Sequence, residues 1–172
     1  MKEKYLLTVK AQEAPGLLAR VLIMLSRRRI ELESISMSRT DLNAVALISC
    51  EIFIDGDQIK NLELQLAKII EVIGVHAIAA KEVTAHKLAF FKISAAILDE
   101  QCEAFIQKYG AQLVRISKDA IIISKSGSEE IIKEMYNKLD STHLIGFAQT
   151  GIVADTPLLE DEDEWRISWL AA

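Results

Sequence analysis

Cysteine stands at only two positions of the 172-residue chain, 50 and 102, far apart and without a CxxC partner. That spacing excludes a disulfide framework and a cysteine-based metal site, and it leaves Cys50 and Cys102 as small hydrophobes of buried segments. Proline and glycine are scarce, at two and seven residues, and nowhere gather into a linker. The parts of the chain therefore pack together or through a shared oligomer. No apolar run approaches the roughly 18 residues that span a bilayer, and the start, MKEKYLLTVKA, is too short in apolar residues for a signal peptide. The expected location is the cytoplasm, without membrane attachment. The three histidines, His76, His86 and His143, are isolated, and no GxSxG, HxxxH or HExxH pattern occurs. Ser126-Gly127-Ser128 is too short to cradle a nucleotide. No catalytic residue, metal ligand or cofactor site is expected.

Positive charge is in short supply as well. The formal charge of −5 comes entirely from residues 155–172, which hold six acids and one base, Arg166; the rest of the chain has 19 acids and 19 bases. A neutral body lacks the field that phosphate backbones require, so nucleic acid is excluded as a partner.

What the sequence does have is 51% hydrophobic residues in two clear periodicities. The run Lys4 to Ala11 reads as a strand, and Leu18, Val21, Leu22 and Leu25 then recur at helical spacing. Ile30, Leu32, Ile35 and Met37 are apolar with a phase slip, the mark of a strand bulged near Glu33-Ser34. After the turn Thr40-Asp41-Leu42-Asn43, alternation from Ala46 to Ile54 gives an antiparallel partner. Asp55-Gly56-Asp57 then opens a second helix carrying Ile59, Leu62, Leu66, Ile69 and Ile70 on one side, and residues 72–83 close the unit as a strand.

This βαββαβ order repeats: strand 87–94, helix 98–109 stopped by Gly110, strand 111–117, the tight turn Ser117-Lys118-Asp119, strand 119–125, helix 128–139 and strand 142–153. The predicted fold is α+β, two ferredoxin-like sandwiches in tandem, each an antiparallel four-stranded sheet with two helices on one face. The divisions are 1–84, 85–154 and an acidic tail at 155–172. An RNA-recognition module shares the order but needs stacking aromatics and a basic sheet; the central segment 43–54 has one aromatic, Phe53. Leu6 and Val9, Val45 and Leu47, and Val72 with Val75 and Ala77 place apolar side chains on both faces of the first sheet, which predicts an oligomer.

Three stretches carry possible function. The first helix begins after Ala14-Pro15-Gly16 with no capping side chain, which leaves the N–H groups of Gly16, Leu17 and Leu18 as donors. Water or Glu13 can occupy them, or a small carboxylate can. Arg27-Arg28-Arg29 ends that helix, either complementing its dipole or docking a partner. Ser128 reads as the N-cap of the fourth helix, with Glu129 and Glu130 in its first turn.

The turn and first helix resemble the ACT domain that opens the acetolactate synthase (acetohydroxyacid synthase) small subunit. That family reads Asn-x-x-Gly-x-Leu-x-Arg-Val, where this chain has Glu13, Gly16, Leu18, Arg20 and Val21. It continues Arg-Gly-Tyr-Asn-Ile-Glu-Ser-Leu, where Arg28-Arg29-Ile30-Glu31-Leu32-Glu33-Ser34-Ile35 stand here. Residues 109–113 and 150–154 are similar to its C-terminal domain, so the likeness runs from 4 to 154.

The resemblance implies a non-catalytic regulatory subunit in branched-chain amino acid biosynthesis, a homodimer through its ACT domains that activates a catalytic subunit. Thiamine diphosphate, Mg²⁺ and FAD belong to that partner, and none to this chain. Family members pass on feedback, usually from valine. The effector lies between two chains, which nominates Glu13, Ala14, Gly16, Leu17 and Leu18 of one with Glu31 and Leu32 of the other.

Both Asn positions are Glu here, and the family's Gly is Arg29. An ionised Glu accepts but cannot donate to a ligand carboxylate, so valine feedback is expected to be altered or lost unless Arg29 neutralises one of them. The competing reading is a free-standing amino-acid-sensing ACT protein with no enzyme partner. The tail reads either as a solvated end or, through Trp165, Trp169 and Leu170, as an anchor on a basic partner.

Overall fold

The computed structural model describes residues 1–40, 42–97, 100–139 and 143–154. The expectations for Asp41, the Cys102 side chain and the tail lie outside the described residues. Two compact units meet at Val83 and Thr84.

In the first unit, β1 (Glu3–Gln12), α1 (Leu17–Arg27), β2 (Glu31–Arg39), β3 (Val45–Ile54), α2 (Gly56–Leu66) and β4 (Val72–Ala79) follow in order. The strands form an antiparallel sheet ordered β2-β3-β1-β4. The second unit repeats this with β5 (Ala85–Ser94), α3 (Glu100–Tyr109), β6 (Gln112–Ile116), β7 (Ala120–Gly127), α4 (Glu129–Lys138) and β8 (Leu144–Gln149), and its sheet runs β6-β7-β5-β8. A two-residue strand, β9 (Val153–Ala154), adds to β5. Both sheets therefore have the ferredoxin-like strand order that the doubled pattern predicts.

The repeat extends to irregularities. The pairing of β2 with β3 slips between Leu32 and Ser34, at the predicted bulge, and that of β6 with β7 slips between Leu113 and Arg115. Both first helices end in the same way. At α3 the Gly110 N–H donates to the Gln107 carbonyl and the Ala111 N–H to Ile106, with Gly110 at φ 57°. At α1 the Arg29 N–H donates to Ser26 and the Ile30 N–H to Leu25, with Arg29 at φ 55°. This is the paired hydrogen-bond closure that ordinarily selects glycine at the left-handed position. An arginine there costs about 1–2 kcal/mol of backbone strain. Replacing Arg29 by Gly is expected to raise stability by roughly 0.5–1 kcal/mol, because the more flexible unfolded chain returns part of that gain. Gly110→Arg should lose a similar amount; paired denaturant melts of the two variants read both signs.

Each core lies between one sheet face and its two helices. In the first unit Leu17, Val21 and Leu25 of α1 meet Leu7, Val9 and Ala11 of β1, Ile48 to Ile54 of β3 and Leu62 and Leu66 of α2. Cys50 is buried among them, and burial pushes its thiol up to about 12, which keeps it protonated and inert near neutrality. In the second, Phe91 and Ile93 of β5, Ile121 and Ile123 of β7, and Ile132 and Met135 of α4 are buried together.

Several expectations need correction. Helix α2 ends at Leu66, Ile69 packs on the core from a following turn, and Ile70 is 96% exposed. The fourth strand stops at Ala79, before a 3₁₀ turn at Ala80–Glu82. Of the residues expected on two faces of the first sheet, Val9, Val72, Val75 and Ala77 all pack on the helix-side core. Leu6 and Leu47 sit on the other face, by their register with Glu51 and Lys10. That face also holds a polar cluster: Glu51, buried on β3, accepts a bond from Ser34 and pairs with Lys4 at 2.8 Å, while Lys4 reaches Glu33 at 2.7 Å. Ser128 occupies the N-cap position but makes no capping bond. Its hydroxyl serves Glu130 and holds that carboxyl below its ordinary value.

Candidate functional site

The stretch before α1 folds as a tight turn. Pro15 supplies the fixed φ of its second position, Gly16 stands third at φ 77°, ψ 4°, and the Leu17 N–H donates to the Ala14 carbonyl at 3.2 Å. These are the requirements of a type II turn, which needs Pro and Gly in that order. The turn itself thus satisfies one of the three expected donors. The N–H groups of Gly16 and Leu18 have no hydrogen-bond partner among the described residues. A Cβ added at Gly16 would meet nothing within 4 Å, so the turn is open on the side where a side chain would stand. Arg20 braces the turn, bonding to Glu71 at 2.8 Å and to the Pro15 carbonyl at 3.4 Å.

Glu13 does not cap the helix. Its backbone N–H donates to the Ala44 carbonyl at 2.7 Å, and its carboxylate is taken by Arg39, the last residue of β2, at 3.0 and 3.1 Å. Arg29, the expected neutraliser, makes no side-chain bond among the described residues, whereas Arg28 donates to the Gln65 side chain of α2 at 2.8 Å. The basic run thus does local work at Arg28. Arg39 was missed because it lies 26 residues from Glu13 and no periodicity marks a long-range ion pair.

One chain gathers only part of the nominated set. Glu13, Ala14, Gly16, Leu17 and Leu18 share the β1–α1 corner, although the side chain of Leu17 is buried in the core and Leu18 packs against it. Glu31 and Leu32 open β2 at the other end of the sheet. Glu31 pairs with Phe53, while Gln12 beside the turn pairs with Val45. The eight intervening steps along β3 amount to about 26 Å. Glu31 has no side-chain partner among the described residues, and Leu32 packs toward the core.

The repeated strand order and paired helices define the class: two ACT-type, ferredoxin-like units in tandem. Among solved structures, that of the acetolactate synthase small subunit from Thermotoga maritima matches with a TM-score of 0.82 at 20% identity, over 89% of this chain and 96% of that one, a likeness of fold. Residues 86–155 match the family model described as the small subunit of acetolactate synthase. By sequence the chain is 26% identical over 153 residues to the acetolactate synthase small subunit of Bacillus subtilis, covering 88% of this chain and 89% of that protein. It is 24% identical to that of Mycolicibacterium smegmatis over 149 residues, covering 86% and 88%. The chain therefore resembles acetolactate synthase small subunits through both of its units, as residues 4–154 predicted.

Proposed function

We propose that this chain is a non-catalytic regulatory subunit of acetolactate synthase, acting in branched-chain amino acid biosynthesis. The observation that carries this reading is that the similarity runs through both units and covers most of each relative, with the units in the same order. A single ACT-type unit would fit many amino-acid-responsive proteins; the pair narrows the choice. The catalytic subunit would supply thiamine diphosphate, Mg²⁺ and FAD, and this chain none. Among the described residues no helix is long and apolar enough to cross a membrane, which fits a cytoplasmic role.

Reconstitution tests the reading. Purified chain given pyruvate should form no acetolactate, and adding it to the cognate catalytic subunit should raise that subunit's rate to a saturating value. Acetolactate formed by the chain alone, or a partner rate unmoved at saturation, overturns it.

The effector reading divides between two chains: Glu13, Ala14, Gly16, Leu17 and Leu18 from one, Glu31 and Leu32 from the other. The distance between these groups within one chain is what such sharing requires. The reading includes a homodimer, and the edge of β2, unpaired among the described residues, is suited to it, since a strand edge presents unpaired N–H and C=O groups to a copy of itself. Sedimentation over micromolar concentrations should give a dimer or larger, and a monomer throughout would exclude the shared site. One feature favours the runner-up, a free-standing sensor: the two acids at 13 and 31, where family members carry amides. Copurification of a catalytic subunit from the native cell decides between the two.

A further inference from the structure

The helices of the second unit cover one face of its sheet. Alternation along β5 puts Ala89, Phe91 and Ile93 into that core and turns Leu88, Phe90 and Lys92 to the opposite face. Register carries this outer face across the sheet: Phe90 stands between Ser124 of β7 and Ala148 of β8, and Lys92 between Ile122 and Gly146. Arg115 of β6 meets Ile122 from its other side. Leu88 and Phe90 are exposed, and the strands beside Phe90 offer it only small side chains.

The charge on this face has one sign. Lys92 and Arg115 flank Ile122, neither has a side-chain partner among the described residues, and no strand residue that the register places on the face is acidic. The corresponding face of the first sheet presents Glu51 and Glu31, which oppose an acidic segment. Exposed apolar side chains beside two unpaired cations suit a segment that is both acidic and aromatic, and this chain carries one. Residues 155–172 hold six acids, one base and both tryptophans. Asp161-Glu162-Asp163-Glu164 directly precede Trp165, and Trp165, Ile167 and Trp169 then recur at every second position. In an extended chain such residues share a side at intervals of about 6.6 Å, the interval between Leu88 and Phe90 along β5. The tail also starts in the right place, because β9, which ends at Ala154, pairs with β5 itself. The ten residues of β5 run about 33 Å, and the stretch from Ala154 to Trp165 reaches about 36 Å when extended, so the whole strand is within range.

We propose that the tail, residues 155–172, docks on this outer face of its own chain, with Trp165 and Trp169 against Phe90 and Leu88 and the acids of 161–164 beside Lys92 and Arg115. Ring contact supplies the hold, and the complementary charge selects this face over that of the first sheet. The inference goes beyond the regulatory reading, which gives the tail no role.

Tryptophan fluorescence of the full chain tests this, because Trp165 and Trp169 are its only tryptophans. Their emission should stand at shorter wavelength than that of free N-acetyl-tryptophanamide, and about hundredfold dilution should leave it there, since a contact within one chain does not depend on concentration. Phe90→Ala should move the emission to the hydrated value. Lys92→Glu combined with Arg115→Glu should move it most of the way, whereas Lys138→Glu on α4 should leave it in place. Salt at about 1 M, where the screening length falls to about 3 Å, should shift the unmodified chain in the same direction, a reading that needs no substitution. Circular dichroism confirms that the exposed substitutions leave the fold intact. An emission already at the hydrated value overturns the proposal. So does a shifted emission that survives Phe90→Ala, or one indifferent to both charge reversal and salt, since either puts the tail elsewhere. Loss of the shift on dilution also overturns it and gives the face to the tail of another copy.

Discussion

Phe91→Ala is expected to lower the unfolding free energy of the second unit by about 3–5 kcal/mol, the range for emptying a full aromatic site in a core. Phe91 lies on the central strand β5 and is 0% exposed. It faces Ile123 on β7 and Phe147 on β8, and its ring stands 5.1 Å from that of Phe147. Phe147 in turn meets Tyr136 of α4 at 5.0 Å, so the cavity would open beneath a chain of rings that joins sheet to helix. Phe90 is the control. It is the same residue type one position earlier, on the other face and 41% exposed, and Phe90→Ala should cost much less. Urea melts followed by circular dichroism read both. Equal losses would mean that the outer face of this sheet is packed as tightly as the core.

Gly16→Val is the second large effect, and its cause is the backbone. With φ at 77° and open space where a Cβ would stand, the new side chain collides with nothing; the loss comes from forcing an L-residue into the left-handed region. That costs about 1–2 kcal/mol for an ordinary residue, and a β-branched one lies at the upper end or beyond. Gly16→Asn should lose distinctly less, because Asn tolerates that region. Thermal melts of the two variants beside the unmodified chain give the comparison. A valine variant as stable as the parent would show that the turn relaxes to another type and that the Pro15-Gly16 order does not matter.

The sequence made legible what depends on neighbours a few residues apart. Val21 and Leu25 fell to a helical recurrence that named Leu18 where Leu17 is the buried residue, the bulge at Leu32–Ser34 to a lost phase, and the end of α3 to a single glycine. Local pattern failed where two rules agreed up to a point and then parted. Ile69 and Ile70 continue the apolar spacing of α2, but the chain leaves the helix after Leu66, because Val72 has to begin β4 and its N–H already donates to the Ile69 carbonyl. Ser128 has the chemistry of a cap, yet an adjacent carboxylate competes for its hydroxyl. The candidate site was half readable. The open turn followed from Ala14-Pro15-Gly16, whereas the charge state of its surroundings rests on Arg39, brought to Glu13 by strand register.

Arg29 has a consequence of a different kind. Its backbone has the sign of φ that a mirror-image amino acid prefers, so the closing corner of α1 responds to handedness before it responds to charge. A D-arginine placed there by chemical ligation would keep the guanidinium and remove the strain. A glycine removes the strain but loses the side chain with it. Position 29 can therefore separate what the side chain does from what the main chain needs.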